Sequence, residues 1–431
     1  MRRLSIHDED FATKFDRIVE DRRESDANVA SDVRSIIEQV RLKGDEALVD
    51  YTMRYDKHAL TADVASWKIG KDQCKVAYDM LLPDVREALD LAATRIRAYH
   101  EGQLPEDRDY RDATDTRIGA RWNAVEAAGL YVPGGRAAYP SSLLMNAIPA
   151  KVAGVDRLVV CTPTPKGAMN DLVLAAAHLA GVDEIWRIGG AQAVAALAYG
   201  TRRIRPVDVI TGPGNAWVAE AKRQLYGVVG IDMVAGPSEI LVIADDRNDP
   251  DWIAADLMSQ AEHDPTSQSI LITDDRAYAA AVEDAVDVLL AQIATGMTAT
   301  ESWAQHGVVV VVDDLLEDAP ALANRLAAEH VQIAIDDPEA MFAKIRHAGS
   351  VFLGRHTPEA IGDYVAGPNH VLPTGRRARF SSGLSVLDFM KRTSFIELDE
   401  AGLAKLGPAA AALAEIEGLP AHARSVTVRL K

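Results

Sequence analysis

The hydrophobic pattern of the chain changes near residue 129. Before that point, apolar residues recur at helical spacing, over residues 29–55, where Gly44 interrupts the period, and over residues 85–100. After it, short runs rich in Val, Ile and Leu alternate with Ala-rich stretches. The first part therefore predicts helices, and the second predicts strands that alternate with helices.

Apolar runs in the second part predict nine strands. They span residues 129–132, 157–161, 184–188, 207–210, 239–244, 269–273, 308–312, 331–335 and 351–353. Helical stretches such as 191–199, 216–226 and 250–263 lie between several of them. Such alternation is typical of parallel sheets joined by right-handed crossovers. We predict an α/β fold with two incomplete Rossmann-like parallel-sheet domains and small helical segments at both ends.

Length and charge exclude several classes of protein. The 431 residues exceed what one core usually supports, and 48% hydrophobic and 26% charged residues are ordinary for globular proteins. The net charge of −18 argues against nucleic acid and against a polybasic membrane contact, because both need a basic surface. No apolar run follows Arg2 and Arg3, and no spanning segment is present, so we expect a cytoplasmic protein.

The cysteine content restricts the kind of metal site. Cys74 and Cys161 are the only two cysteines, too few for a disulfide scaffold, and they form no CxxC pair. Cys161 falls in a predicted strand, which favours burial over a role as nucleophile. Any metal must therefore be held by His, Asp, Glu or Gln.

Three glycine-rich loops follow predicted strands, where α/β folds often bind phosphate groups. They cover residues 131–135, 188–192 and 211–215. The last begins a GxGxxG pattern, but Trp217 occupies the place of the third glycine, so the usual dinucleotide fingerprint fails. Each loop alone is equally compatible with a tight turn, whereas three in one region favour a nucleotide site.

Candidate metal ligands occur in three places. Gln260 and His263 lie three residues apart, on one face of the last turn of a predicted helix. Asp363 and His370 bound a turn-rich loop, and His422 follows the C-terminal helix. Such donors suit zinc in a site open to substrate. Without an HExxH anchor, the residues alone also allow a His at a helix end and a turn-forming Asp.

A candidate acid–base pair, Glu329 and His330, lies at the junction of a predicted helix and a predicted buried strand. At a junction both side chains can serve one cleft, although adjacent residues within a strand point to opposite faces. His is the usual base near neutral pH, and Glu can activate water. The alternative is a solvated helix end.

Taken together, these segments closely resemble the histidinol dehydrogenase family. The motifs that carry the resemblance are YVPGG (131–135), GGAQ (189–192), TGPGN (211–215), AGPSE (235–239), SQAEHD (259–264), AEHVQ (328–332), GDYVAGPNHVLPT (362–374), RFSSGLSV (379–386) and EGLPAH (417–422). They occur in the family's order and cover nearly the whole chain.

The resemblance implies an NAD-dependent zinc enzyme that oxidises L-histidinol to L-histidine through an enzyme-held aldehyde, reducing two NAD in histidine biosynthesis. The implied zinc ligands are Gln260, His263, Asp363 and His422, and the implied catalytic pair is Glu329 and His330. The implied substrate contacts are Ser238, Gln260, His263, His330, Asp363, Glu417 and His422. The implied NAD contacts are Tyr131, Gln192 and Asn215, and His370 is expected to support the site.

The resemblance also implies a homodimer with shared active sites, because the family takes its C-terminal His, and its C-terminal Glu, from the other subunit. We assign residues 1–28 to an N-terminal helical segment and 129–237 to an NAD-binding domain. Residues 29–128 and 238–383 are assigned to the zinc-bearing catalytic domain, and residues 384–431 to a C-terminal dimer-exchange segment.

Three other functions remain open from the residues. One is a dehydrogenase of the same fold that oxidises another amino alcohol or diol. A second is a zinc hydrolase in which Glu329 activates water, although it leaves the glycine loops unexplained. The third is a binding protein without catalysis, against which the intact pair Glu329 and His330 argues.

Overall fold

The computed structural model describes residues 1–21, 29–134, 139–234 and 236–430. The strands are β1 (Arg2–Ser5), β2 (Lys68–Ile69), β3 (Arg108–Arg111), β4 (Arg117–Ala124), β5 (Ala127–Tyr131), β6 (Arg157–Cys161), β7 (Glu184–Trp186), β8 (Val209–Thr211), β9 (Gly230–Ile231), β10 (Glu239–Ala244), β11 (Gln268–Thr273), β12 (Val308–Val311), β13 (His330–Ala334), β14 (Ser350–Leu353) and β15 (Met390–Glu397).

The α-helices are α1 (Phe11–Glu20), α2 (Ala30–Lys43), α3 (Asp45–Asp56), α4 (Lys71–Asp79), α5 (Pro83–Glu101), α6 (Pro140–Ala153), α7 (Asp171–Leu179), α8 (Gly190–Tyr199), α9 (Ala216–Leu225), α10 (Pro250–Ala261), α11 (Arg276–Leu290), α12 (Gly296–His306), α13 (Leu315–Leu326), α14 (Pro338–Phe342), α15 (Glu359–Tyr364), α16 (Glu400–Ile416) and α17 (Pro420–Thr427). None of the described helices is long and apolar enough to cross a membrane.

The first sheet has the strand order β2-β7-β6-β5-β8-β9. Its strands run parallel except β2, which pairs antiparallel with β7. Helices α4 to α7 pack on one face and α2, α3, α8 and α9 on the other, so the central strand β5 is buried throughout. Burial on both faces explains why these strands are continuous apolar runs.

The second sheet is parallel throughout, with the order β1-β12-β11-β10-β13-β14. Helices α1, α13 and α14 cover one face, and α10, α11 and α12 cover the other. All nine predicted strands lie in these two sheets, within two residues at each end. The predicted α/β class with two parallel sheets is confirmed.

The N-terminal half is arranged differently from the predicted domain division. Helices α2 to α5 and strand β2 pack against the first sheet, whereas we grouped residues 29–128 with residues 238–383. Residues 1–28 are also not purely helical, because Arg2–Ser5 is an edge strand of the second sheet. Its sequence contains one buried apolar residue, Leu4, so the strand is defined by its pairing with β12 and not by a hydrophobic run.

A third sheet, antiparallel and with the order β15-β4-β3, was not predicted. Most of its residues are exposed or half-buried, so it lacks the apolar run by which the other strands were found. After it, α16 and α17 pack mainly against each other. Their surface carries large exposed apolar side chains, including Leu413 at 61% and Ile416 at 84% exposure.

Candidate functional site

A cavity of about 410 Å³ lies where the two sheets meet. From the first sheet it is lined by the loop 212–215, which follows the carboxyl end of β8. From the second sheet it is lined by residues at amino ends, namely Ser238 before β10 and Glu329 and His330 at the start of β13. The cavity is therefore bounded by the carboxyl edge of one sheet and the amino edge of the other.

The amino edge of the second sheet places Glu329 and His330 side by side, and both are buried. His330 is paired with Ile240 across the parallel ladder. One carboxyl oxygen of Glu329, Oε2, accepts a hydrogen bond from the backbone N–H of Glu239 at 3.0 Å. The predicted junction thus brings both side chains to one cavity.

Two further cavity residues are Gln260, in the last turn of α10, and His263, which lies in the turn after the helix and not within it as predicted. The helix begins as predicted, with Pro250 in its first turn and the Asp249 carboxylate accepting from the N–H of Asp251. Gln260 is buried, and its Oε1 finds no hydrogen-bond partner among the described residues. A buried amide oxygen without a partner is costly, which makes this atom a candidate ligand.

Asp363 and His370 complete the predicted set on this side of the cavity. Asp363 belongs to the short helix α15, and its backbone oxygen accepts a hydrogen bond from Nδ1 of His370 at 2.9 Å. The other ring nitrogen of His370 lies 3.3 Å from the Ser142 hydroxyl, which donates to it. His370 therefore connects this loop to α6, in agreement with a supporting role.

The His330 ring has a defined orientation. Its Nδ1 lies 3.2 Å from the backbone oxygen of Glu239, which can only accept, so Nδ1 carries the hydrogen. The same Nδ1 lies 3.2 Å from Oε1 of Glu359. Nε2 has no hydrogen-bond partner within the described part of the chain and lies 3.8 Å from Oδ1 of Asp363. Nε2, the unprotonated nitrogen, is therefore the ring atom that faces the carboxyl group of Asp363.

Burial controls the ionisation of these groups. It lowers the pKa of His330 to about 3 and raises the pKa of Asp363 to about 6. Burial, together with neighbouring carboxylates, also raises the pKa of Glu329 and of Glu359 well above the usual range. Three carboxyl groups crowded in a low-dielectric site favour a cation among them.

The donor atoms present fit a divalent metal. His330, Glu359 and Asp363 each place one possible ligand atom within 4.8 Å of the others. Gln260 and His263 line the same cavity. Nitrogen and oxygen donors of this kind suit zinc.

Comparison with known proteins identifies the family of the chain. The family model described as histidinol dehydrogenase matches residues 19–430. The chain belongs to the histidinol dehydrogenase family. It is therefore an oxidoreductase.

Similar proteins support the assignment over the full length. The histidinol dehydrogenase of Zymomonas mobilis is 60% identical over 428 residues, covering 99% of both chains. That of Rhodospirillum rubrum is 58% identical, covering 99% of this chain and 98% of the relative. The crystal structure of histidinol dehydrogenase from Elizabethkingia anophelis has a TM-score of 0.93 and 34% identity, covering 100% of this chain and 98% of that one.

Two residues that the histidinol dehydrogenase resemblance implies lie away from this cavity in a single chain. Glu417 and His422 are exposed on the α16–α17 hairpin and do not line the cavity. Six of the implied zinc, substrate and catalytic residues do line it: Ser238, Gln260, His263, Glu329, His330 and Asp363.

The three implied NAD residues lie at the carboxyl edge of the first sheet. Asn215 lines the cavity, and its side chain caps α9 by accepting from the N–H of Val218 at 3.2 Å. Tyr131 and Gln192 are buried next to the cavity and do not line it. The Tyr131 hydroxyl accepts from the N–H of Gly190 at 3.0 Å, at the start of α8.

A buried ion pair holds the loop that carries Asn215. Lys222 and Asp232 are paired, and both are almost fully buried. The Lys222 ammonium donates to the backbone oxygen of Gly212 at 3.0 Å, while Asp232 accepts from the Gly212 N–H at 2.9 Å. Gly212 has φ +111°, and an added Cβ would lie 2.2 Å from the Tyr131 oxygen, so only glycine fits here.

Sequence reasoning missed Glu359, which is 2% exposed and contacts His330. Its only signal is a proline immediately before it, which marks a helix start. The pair Pro338 and Glu339 gives the same signal at α14, and there the carboxylate is exposed. The sequence pattern therefore does not distinguish a buried site residue from a surface one.

Proposed function

We propose that the chain oxidises L-histidinol to L-histidine through enzyme-held L-histidinaldehyde, reducing two NAD with zinc as cofactor, in histidine biosynthesis. The observation that carries this is one cavity in which His330 offers an unprotonated nitrogen and Gln260 an unpartnered oxygen, opposite a glycine loop. Membership of the histidinol dehydrogenase family supplies the substrate.

For zinc we propose the ligands Gln260, His263 and Asp363, with His422 of the partner subunit. The unpartnered Oε1 of Gln260 supports this set, since a ligated oxygen would be satisfied. The cluster of His330, Glu359 and Asp363 shares only Asp363 with it. We leave His330 out because a metal-bound Nε2 could not accept a proton. Zinc, when bound, supplies a template that orients the substrate and a weak Lewis acid.

His330 is the proposed base for both oxidations. Its Nδ1–H is held by the Glu239 carbonyl, which leaves the lone pair of Nε2 to take the proton of the substrate hydroxyl. Burial keeps the ring neutral above a pKa of about 3, so the base is in its working form at neutral pH. As the O–H proton moves to Nε2, the carbon gives up a hydride, for which NAD supplies the acceptor.

Glu329 is the proposed base that activates water for the second step. The N–H of Glu239 and the hydroxyl of Ser238 both donate to its carboxyl group, and a remaining lone pair takes a proton from water that adds to the aldehyde carbon. Burial raises its pKa well above the usual range, which makes its carboxylate a stronger base than an exposed one. The aldehyde oxygen takes up the proton that His330 gained in the first oxidation, which returns His330 to its neutral form, and His330 then deprotonates a hydroxyl of the hydrated aldehyde in the second oxidation.

NAD is proposed to bind at the carboxyl edge of the first sheet, in contact with Tyr131, Gln192 and Asn215. The loops there start α8 and α9, whose N–H groups and positive helix ends suit a pyrophosphate. The ion pair of Lys222 and Asp232 fixes one of these loops.

A homodimer with shared sites is proposed from the C-terminal hairpin. Glu417 and His422 are exposed, and the large apolar side chains Leu413 and Ile416 beside them have no cover in one chain. Docking this surface on a second copy would bury it and deliver both polar residues to the partner's cavity. We also propose a cytoplasmic location, since both cysteines are buried free thiols.

The proposal is tested by mixing purified protein with L-histidinol and NAD and counting reduced cofactor per substrate consumed, with and without a zinc chelator. We expect two per substrate, lost on chelation and restored by zinc. No reduction by the folded, zinc-loaded dimer would contradict the substrate, and other amino alcohols and diols would then be screened.

A further inference from the structure

Glu359 is a buried carboxyl group that the proposed mechanism does not use. It belongs to the first turn of α15, and one of its oxygens lies 3.2 Å from Nδ1 of His330. The other oxygen lies 3.5 Å from the hydroxyl oxygen of Ser259. The side chain thus lies between the proposed base and the helix that carries Gln260.

The contact is on the side of the His330 ring away from its unprotonated nitrogen. Nδ1 points toward the Glu239 backbone oxygen and the Glu359 carboxyl group, while Nε2 lies near Asp363. A general base whose far nitrogen is held by a third group is the arrangement by which enzymes orient an imidazole.

A purely structural explanation is insufficient. The N-terminal turn of a short helix gains from an acidic residue wherever that residue lies, as Glu339 illustrates on the surface at α14. Glu359 instead is almost fully buried, and a buried carboxyl group is costly unless it has polar neighbours. The polar neighbours that the structure gives it are the ring of His330 and the hydroxyl of Ser259.

We infer that Glu359 is a positioning residue that holds the His330 ring with Nε2 facing the substrate. The inference rests on the proposed function, in which His330 is the base. It assigns to Glu359 an effect on the chemical step that acts through His330 and leaves metal and substrate binding intact.

A double-mutant cycle tests this. Glu359→Gln keeps the volume and replaces one carboxyl oxygen with an NH2 group that cannot accept from Nδ1–H, and we expect kcat to fall roughly 10- to 100-fold with KM for the alcohol nearly unchanged. In the His330→Asn background, the same change should cost nothing further. Glu339→Gln, the matched change after a proline at α14, should leave kcat and KM at wild-type values.

Metal content distinguishes the positioning role of Glu359 from a rival role as a metal ligand. Elemental analysis of Glu359→Gln should give the same zinc per subunit as wild type. A loss of zinc, or an equal fall in kcat with and without His330, would overturn the inference. If Glu359→Gln does not fold, Glu359→Asp enters the same cycle. Glu359→Asp keeps the carboxyl group on a side chain that is one methylene shorter. Loss of zinc, or an equal fall in kcat with and without His330, would again overturn the inference.

The cycle is run with whichever alcohol the wild-type protein oxidises. A wild type that is inactive on L-histidinol but active on another alcohol contradicts the proposed substrate and leaves the cycle intact. If the wild type oxidises L-histidinol and the losses from the Glu359 and His330 substitutions add, only the role of Glu359 is contradicted.

Discussion

The two six-stranded sheets share one strand order but present opposite edges to the cavity. In the first sheet five strands lie in the order β7-β6-β5-β8-β9, and in the second five lie in the order β12-β11-β10-β13-β14. If β5 and β10 are each counted as strand 1, both orders are 3-2-1-4-5. Each is completed by an edge strand from the N-terminal part of the chain, β2 or β1. The first contributes carboxyl-end loops to the cavity and the second contributes residues at amino ends.

The difference in edge brings a difference in electrostatic character. At the carboxyl edge of the first sheet, helices α8 and α9 begin, and their N-termini carry partial positive charge. At the amino edge of the second sheet, α10 ends beside Gln260 and His263, and its C-terminus carries partial negative charge. One topology therefore supports an anion at one wall and a cation at the other, as the proposed NAD and zinc would require.

The largest effect should come from the second sheet. His330→Asn removes the proposed base, and we expect both oxidations to fall about 10²- to 10⁴-fold in kcat. Stopped-flow absorbance of reduced NAD measures each step. His7→Asn, an exposed histidine near the N-terminus, is the control and should be silent. Activity within threefold of wild type would remove His330 from the chemistry.

Glu329→Gln should divide the two oxidations. Without the carboxylate, water is not activated, so aldehyde oxidation should slow by about 10²-fold while oxidation of the alcohol is spared. Supplying L-histidinaldehyde directly isolates the second step. Equal rates of aldehyde oxidation in the variant and wild type would contradict the water-activating role.

The first sheet is tested through its glycine loop. In Gly212→Ala the new Cβ would clash with the Tyr131 backbone, so the loop must move, and we expect NAD to bind about tenfold more weakly. Gly227→Ala is the matched control, because Gly227 also has positive φ but has no atom within 4 Å of the added Cβ. Calorimetric titration with NAD measures both. An equal loss of NAD affinity in the two variants would show that strain from positive φ alone, and not displacement of the 212–215 loop, weakens NAD binding.

The smallest effect is on stability and pH. Asp183 lies immediately before β7 in the first sheet. Partial desolvation raises its pKa, but hydrogen bonds from Lys151 and the N–H of Leu158 lower the pKa by a larger amount, so the net pKa is below the usual value. Its stabilising contribution is therefore present above the unfolded pKa of about 4 and is lost as pH falls through the lower folded value.

Asp183→Asn should accordingly reduce the free energy of unfolding at pH 7 by about 2 kcal/mol, and reduce it less at low pH. Urea titrations at several pH values measure this, with the exposed Asp156→Asn as control. A deficit independent of pH would mean that packing, and not charge, is what Asp183 contributes.

Sequence reasoning found the elements whose residues are buried on both faces and missed those defined by pairing. All strands of the form seen in β10, buried throughout, were predicted. β1 and β15 were not, because their side chains are mostly exposed and the hydrogen bonds that define them come from distant segments.

The same distinction holds in the site. Gln260 and Glu329 were predicted from motifs, and the fold brings them to one cavity. Glu359 was not, because its role depends on a tertiary contact with a strand 29 residues earlier, which no local pattern encodes. Glu417 and His422 are exposed on the α16–α17 hairpin, and in the proposed dimer they would reach the cavity of a second chain.

The pairing of β1 with β12 has a consequence for synthesis. Arg2 is paired with Val308, so the first strand made must wait for a partner made some 300 residues later. At translation rates of about 5 to 20 residues per second, that wait is about 15 to 60 s. During it the N-terminal strand and the apolar face of α1 stay uncovered on the ribosome, while the first sheet, whose strands all lie between residues 68 and 231, has all of its strands. The nascent chain should therefore fold its middle before its beginning.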